Sequence, residues 1–364
     1  MTEVLTVKAL NRATLARQML LAREKTTALK AVERLVGMQA QLARPPYLGL
    51  WSRVAGFQAG DLTRLAQARR VVRGTLMRAT LHLVSTRDYQ GLRPLLQPML
   101  SAALRGASRD RLPGLEMDHV VAAARECLEG RPCTFDEVRD VLGKRWPKVD
   151  VRALGYAVRT HLPLVQVPAD ARWGWPGSAS FAVAESWIGR PLGKGWDARE
   201  LVLRYLAGFG PAGPRDAETW SGMSGLRGVF EALRPRLRLF HDEKGRELFD
   251  LPKAPRPPEK RPAPVRFLPD YDNLLLSHAD RTRVVPAAHK PKLATRNLQI
   301  MATYLVDGFV AGAWRIDRAR SSAALVLRPF EPHARAARAE LIDEGKALLR
   351  FAEPDAKTVE VRFA

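Results

Sequence analysis

The sequence predicts an α+β fold, built from tandem winged-helix (helix-turn-helix) units followed by a C-terminal β-barrel-like domain. Three observations carry the prediction. A plan of short helices followed by a hairpin recurs until a stiff, basic, proline-dense linker, LPKAPRPPEKRPAP. Beyond that linker the pattern changes to longer strands. Lys and Arg (59) far outnumber Asp and Glu (38), for a formal net charge of +21. A surplus that large concentrates polyanions at the surface and suits phosphate contacts.

The first unit, residues 1–112, opens with a helix near Asn11–Arg23. A second runs from Thr27 to Ala43, where Val32, Leu35, Val36 and Gln39 fall on a helical period. Pro45-Pro46 ends it, because the residue before proline is pushed out of the α region. A short helix near Asp61–Ala68 precedes VVRGTLMRATLHLVS, two β segments bent at Gly74. Thr86 then caps a helix through Ala103.

The second unit, residues 113–193, has an apolar helical stripe over Met117–Leu128. The capping box Thr134-Phe135-Asp136-Glu137 opens a helix to Arg145. Val151–His161 makes a third helix, and Leu164–Val167 and Phe181–Val183 flank the excursion RWGWPGSAS. The third unit, residues 194–252, repeats the order with Ala198–Ala207, Asp216–Ser221, Leu226–Leu233 and a hairpin turning at Lys244-Gly245. In the last region, residues 253–364, Asp307-Gly308 between Ile300–Val306 and Phe309–Ile316 is a type I′ hairpin signal. A strand at Ala323–Leu327, a helix at Ala334–Phe351 and a strand at Thr358–Phe363 complete it.

Several function classes are excluded. No run is long and apolar enough to span a bilayer, and MTEVLTVKALNRATL lacks the features of a signal peptide. Two cysteines, Cys127 and Cys133, with no adjacent His cluster read as ordinary buried thiols and argue against a disulfide framework or zinc site. The expected location is the cytoplasm, and no metal or organic cofactor is expected. P-loop, HExxH, CxxC and GxSxG patterns are all missing. His278-Ala279-Asp280-Arg281 reads as a capped turn more readily than as an acid/base cluster.

The stretch VGMQAQLARPPYLGLWSR sets Gln39 and Gln41 two residues apart. On a continuing helix they would diverge by about 200°. In an extended segment they would share one face. A carboxamide cannot act as a base near neutral pH, but two converging carboxamides can hold a water with a defined lone-pair direction. Such a site suits a reaction whose leaving group is already activated. On spacing alone, a pair capping a helix end or facing solvent explains the same residues.

Four stretches, MQAQLARPPYLGLWSR, RGTLMRATLHLVS, FLPDYDNLLLSHADR and VDGFVAGAWR, occur in this order over nearly the full chain. Together they resemble the AlkZ/YcaQ-type winged-helix DNA glycosylases. The resemblance implies winged-helix units and a β-barrel-like element forming a C-shaped DNA clamp. It also implies hydrolysis of the N-glycosidic bond of N7-alkylguanine, including bulky adducts and interstrand crosslinks. The family signature is Gln-x-Gln or Gln-x-Asp, so Gln39 and Gln41 would hold the water. Glutamine at position 41 looks like the AlkZ-type branch associated with toxin self-resistance.

The implied partner is double-stranded DNA carrying alkylated guanine, bound by a monomer without membrane involvement. Candidate DNA contacts are Arg73, Arg78 and His82 on the first hairpin, Lys244 and Arg246 at the third wing, and Arg44 and Arg53 flanking the glutamines. His82 sits between Leu81 and Leu83, so strand alternation turns it away from both, toward a surface or groove. No lysine is placed for a Schiff base, so a monofunctional glycosylase is expected. A winged-helix transcription regulator without catalysis is the main rival reading, and a protein that sequesters a free genotoxin is a third.

Overall fold

Three sheets organise the chain in the computed structural model, which describes residues 3–108, 111–112, 114–293 and 300–364. The largest has six strands in the order Met38–Gln39, Leu81–Ser85, Val71–Thr75, Leu164–Gln166, Ser180–Val183 and Cys133–Thr134. It joins the first hairpin to the second, with Arg73 opposite Gln166 and Gly74 opposite Val165. Gly74 therefore lies inside a strand and makes no bend. A Cβ there would stand 2.7 Å from the Leu164 carbonyl oxygen and 2.8 Å from the Tyr89 ring, so glycine is what lets the two hairpins meet. The chain turns instead at Met77–Ala79, where Arg78 and Ala79 both take φ of 54°.

The second helix is much shorter than the period predicts. It runs over Ala28–Arg34 and stops in a Schellman motif. The Gly37 N–H donates to Val32 O at 3.0 Å and the Val36 N–H to Glu33 O at 3.1 Å. Val36 takes φ of 52° and Gly37 of 89°, so the backbone leaves the helix there and becomes a strand at Met38–Gln39. A β-branched residue at positive φ is a strained site, which the hydrophobic period gives no hint of. Pro45 and Pro46 then open the helix Pro45–Trp51, since proline's missing N–H and fixed φ suit the first turn. Ser85, and not Thr86, caps the next helix, its Oγ accepting from the Asp88 N–H at 3.1 Å. That helix, Thr86–Leu95, gives way to a separate one at Gln97–Ser108.

The first helix, Val7–Arg17, begins earlier than expected, with Thr6 as its cap. It is buried on its polar face because it ties distant regions together. Asn11 Nδ2 donates to the Arg283 and Gly308 carbonyls, each at 2.7 Å. Arg17 forms a bidentate pair with Asp250 at 2.7 and 2.8 Å. The N-terminal strand Val4–Leu5 lies parallel to Arg238–Asp242, whose partner is Glu247–Asp250, so the third hairpin sits in a three-stranded sheet.

In the second region the helices Met117–Glu129, Phe135–Arg145 and Val151–His161 precede the hairpin as expected, and Thr134 and Glu137 form the capping box. Cys127 and Cys133 are free thiols with their sulfurs 3.7 Å apart. The C-terminal sheet has five strands, in the order Arg266–Leu268, Thr303–Val306, Phe309–Arg318, Ser322–Pro329 and Thr358–Phe363. Asp307 and Gly308 both take positive φ, as a type I′ turn requires. The last two strands are parallel, and the helix Arg335–Ala352 connects them, packing Leu341, Leu348 and Leu349 on Leu325 and Leu327. The sheet is open, and among the described residues no closed barrel forms. No helix of the described residues is long and apolar enough to cross a membrane.

Candidate active site

Gln39 ends an edge strand, and the chain stays extended beyond it. The Ala40 N–H donates to Leu81 O at 2.7 Å, continuing the register in which Gln39 faces His82. An extended backbone puts Gln39 and Gln41 on one side of the chain. The ladder then changes hands. Leu81 gives its N–H to Gln41 Oε1 at 2.8 Å, and the Ala40 carbonyl accepts from Arg73 Nε at 2.7 Å. Arg73 Nη2 also reaches the Gln41 carbonyl at 3.1 Å. The Gln41 side chain thus substitutes for backbone, and Arg73 holds the backbone it displaced. Burial first, then Arg159, pulls the Arg73 guanidinium down to about 10, so it remains charged at neutral pH.

Gln39 Oε1 accepts from Arg78 Nη2 at 2.7 Å. Arg78 also donates to the Trp220 carbonyl, and a Cβ on Gly222 would lie 3.1 Å from the Arg78 backbone. The tip of the first hairpin is therefore roofed by the third region. This is why His82 departs from the expected surface or groove position and is 0 % exposed. Its Nδ1 donates to the Thr80 carbonyl at 3.0 Å, leaving Nε2 to face Arg78 Nη2 at 3.5 Å. Burial and then the Arg78 charge depress His82 to about 3, against the Thr80 bond. His82 is a neutral acceptor that orients Arg78.

The far edge of the Gln39 strand is closed by a turn 234 residues away. Asn273 Oδ1 accepts from the Gln39 N–H at 3.3 Å while its Nδ2 donates to Gly37 O at 2.8 Å, so one carboxamide stands in for a neighbouring strand. Asp272, next to it, takes a bidentate pair from Arg53 at 2.9 and 2.8 Å. Arg53 is 1 % exposed and also donates to Gly49 O at 3.0 Å, so its guanidinium is engaged inside the protein. Between strand and turn lies a cavity of about 10 Å³ bordered by Gln18, Gln39, Pro45, Asp270 and Tyr271. That is room for about one water.

Arg44 stands half-buried at 3.7 Å from Glu353, which also meets Arg172 and Arg318. Burial lowers the Arg44 pKa, and Glu353 opposes this. Lys244 and Arg246 both contact Asp280, at 2.9 and 2.8 Å, with largely exposed side chains. Arg246 borders a cavity of about 700 Å³ whose other cations include Arg215, Arg227, Arg281 and Lys290. Glu231 and Glu247 on its wall are held by Arg234. Arg281 makes no ion pair among the described residues, burial lowers its pKa, and its charge reaches Arg78. The neighbouring His278 is buried, depressed to about 3 by burial, and bonded to Ser277 Oγ and Phe209 O. Asp280 caps the turn at Thr282, which makes this segment a capped turn, as its sequence suggests.

The structure thus brings Gln39, Gln41, Arg73, Arg78 and His82 into one bonded cluster. It places Arg53 behind that cluster, Arg246 at the larger cavity and Lys244 at a small neighbouring one. Asp270 and Asn273 were not singled out by residue chemistry, although FLPDYDN contains them, and Arg281 entered only as the end of the His278–Arg281 turn. Each glutamine oxygen accepts one bond and keeps a second lone pair. Such lone pairs can accept a hydrogen bond from a water and direct its oxygen at an electrophile. Among the described residues, no group of three or more His, Cys, Asp and Glu is placed to hold a metal ion.

A family model described as DNA glycosylase AlkZ-like matches residues 32–351. Among solved structures, Streptomyces sahachiroi DNA glycosylase AlkZ superposes with a TM-score of 0.80 at 20% identity. The match covers 99% of this chain and 100% of that one. No curated protein sequence matches.

Proposed function

The chain belongs to the AlkZ-like DNA glycosylase family and is a DNA glycosylase, and from that premise we propose that it releases N7-alkylguanine from double-stranded DNA by simple hydrolysis. One observation carries the reading: the strand Met38–Gln39 continues in register through Ala40, and the first hairpin holds the side-chain oxygens of both Gln39 and Gln41. Alkylation at N7 gives guanine a positive charge and weakens its bond to C1′. Cleavage then needs a positioned water and dipoles suited to an oxocarbenium-like transition state, more than a strong base.

Water held by Gln39 and Gln41 attacks C1′, the C1′–N9 bond breaks with its electron pair going to the base, and neutral N7-alkylguanine departs. An abasic site remains, with no lyase step. The excess of basic residues suits sequence-indifferent binding through phosphates. The cavity of about 700 Å³ with its Arg281 is the nominated phosphate or adduct cleft, with Arg246 on its wall and Lys244 beside a small adjoining cavity. A role in repair or in self-resistance to a genotoxin follows if the adducts accepted are bulky.

The test is release of free modified base from duplexes carrying N7-methylguanine and a panel of larger N7 adducts. Release with an alkali-sensitive abasic site supports the reading. DNA binding with no release from any adduct overturns it, and a palindrome-specific footprint would point to the regulator.

A further inference from the structure

The two glutamines cannot accept the proton that the attacking water must lose, nor supply negative charge to the sugar cation. We propose that Asp270, which borders the water-sized cavity beside Gln39, is a third catalytic residue and that its carboxylate takes that proton. The inference rests on the hydrolytic reading above and deepens it.

The geometry is built for delivery. Asp270 belongs to the turn Pro269–Asn273, in which Tyr271 takes φ of 59°, a strained value for a bulky side chain. The two residues after Tyr271 lock that turn to the glutamine strand and to Arg53. Asn273 bonds the strand at Gly37 and Gln39, and Asp272 is clamped by Arg53. With its neighbours fixed in this way, Asp270 lines the same cavity of about 10 Å³ as Gln39, with Pro45 and Gln18 opposite. Gln18 Oε1 is buried there with no hydrogen-bond partner among the described residues, a second polar atom that a water would satisfy.

The charged and titratable groups around Asp270 are Arg44, Tyr271 and the Asp272–Arg53 pair. Asp272 and Arg53 neutralise each other, which leaves Arg44 as the cation that acts on Asp270. Burial lifts the Asp270 carboxyl above its ordinary value, while its own and the Ala302 N–H, and then Arg44, oppose the lift. A raised carboxylate is the better proton acceptor.

In the proposed step the water oxygen bonds to C1′ and the C1′–N9 electron pair moves to the cationic base, neutralising it. The water proton passes to the Asp270 carboxylate and then to solvent. Charge and atoms balance without a further reactant. The same carboxylate, before it is protonated, lies against the developing oxocarbenium charge.

The test uses the full chain in single-turnover base release from N7-methylguanine duplex, from about pH 4.5 to 9. Wild-type activity should fall on the acid side as Asp270 is protonated. Asp270→Asn should lower the rate by ~10² or more, abolish the acid limb and leave DNA affinity intact, and Asp270→Glu should restore part of the rate. An Asp270→Asn protein within ~3-fold of wild type that keeps the acid limb overturns the proposal. Should Asp270→Asn fail to fold, the wild-type profile and Asp270→Glu decide it. A wild-type rate flat across the acid range overturns it, as does an Asp270→Glu variant whose acid limb has not moved. A wild-type protein inactive on every adduct overturns the hydrolytic reading itself, an outcome distinct from an active wild type with an indifferent Asp270→Asn.

Discussion

Arg78 and Gln39, 39 residues apart in sequence, are joined by a hydrogen bond of 2.7 Å between a buried guanidinium and a carboxamide oxygen. The guanidinium is aimed from three sides: the Trp220 carbonyl, Gln39 itself and the neutral His82. Arg78→Ala should therefore slow base release by ~10², the scale of a misplaced catalytic group, with little change in DNA affinity or its salt dependence. Single-turnover rates and anisotropy titrations at several salt concentrations check this. A weakened, less salt-dependent affinity with a normal rate would make Arg78 a phosphate contact.

Two buried histidines set the acid sensitivity of the fold. His82 and His278 are both depressed to about 3, chiefly by burial, with the charges of Arg78 and Arg283 next in size. Above the ordinary histidine pKa neither folded nor unfolded state binds a proton there. Below it the unfolded chain takes up protons that the native state refuses, so stability falls as pH drops. Each histidine should cost about 1.4 kcal/mol per pH unit between roughly 6.5 and 3. Urea unfolding at steps from pH 7 to 5 measures the slope, which His82→Gln should reduce. A stability independent of pH over that interval would contradict the burial account.

Gly37 governs where the glutamine strand begins. Its φ is 89° and a Cβ would stand 2.3 Å from Val84 Cγ1. Gly37→Ala should destabilise the protein by about 2–4 kcal/mol, through positive φ plus overpacking. It should also displace Gln39 and lower activity in the fraction that remains folded. Denaturant midpoints and rates on the same preparation would reveal an unexpectedly tolerant site.

Arg281 is one of the cations of the larger cavity that make no ion pair among the described residues. Arg281→Ala should weaken binding to any duplex similarly and reduce the slope of log affinity against log salt by about 1. An unchanged slope would remove this cavity from the DNA path.

Much of the fold was legible because its signals are local. The Thr134–Glu137 capping box, the Asp307-Gly308 turn and the closing strand Thr358–Phe363 each follow from a few adjacent residues. The site was legible only in its two glutamines. Val32, Leu35, Val36 and Gln39 match a helical period, yet Val36 and Gly37 at positive φ break it, and Gly37 lies too close to Val84 to carry a Cβ. His82 obeys strand alternation, but the face away from Leu81 and Leu83 is covered by a region some 140 residues later. Asn273 and Asp270 reach Gln39 from more than 200 residues downstream, a closeness that no pattern near the glutamines encodes.

The central claim is that a water held between Gln39 and Gln41 cleaves the glycosidic bond. Its most direct test is single-turnover release of free N7-alkylguanine by wild type and by the Gln39→Ala, Gln41→Ala double variant, on protein verified to fold and bind duplex. The account predicts rapid release by wild type and a loss of ~10³ or more in the double variant at unchanged DNA affinity. A double variant that folds, binds and releases base at the wild-type rate would contradict it.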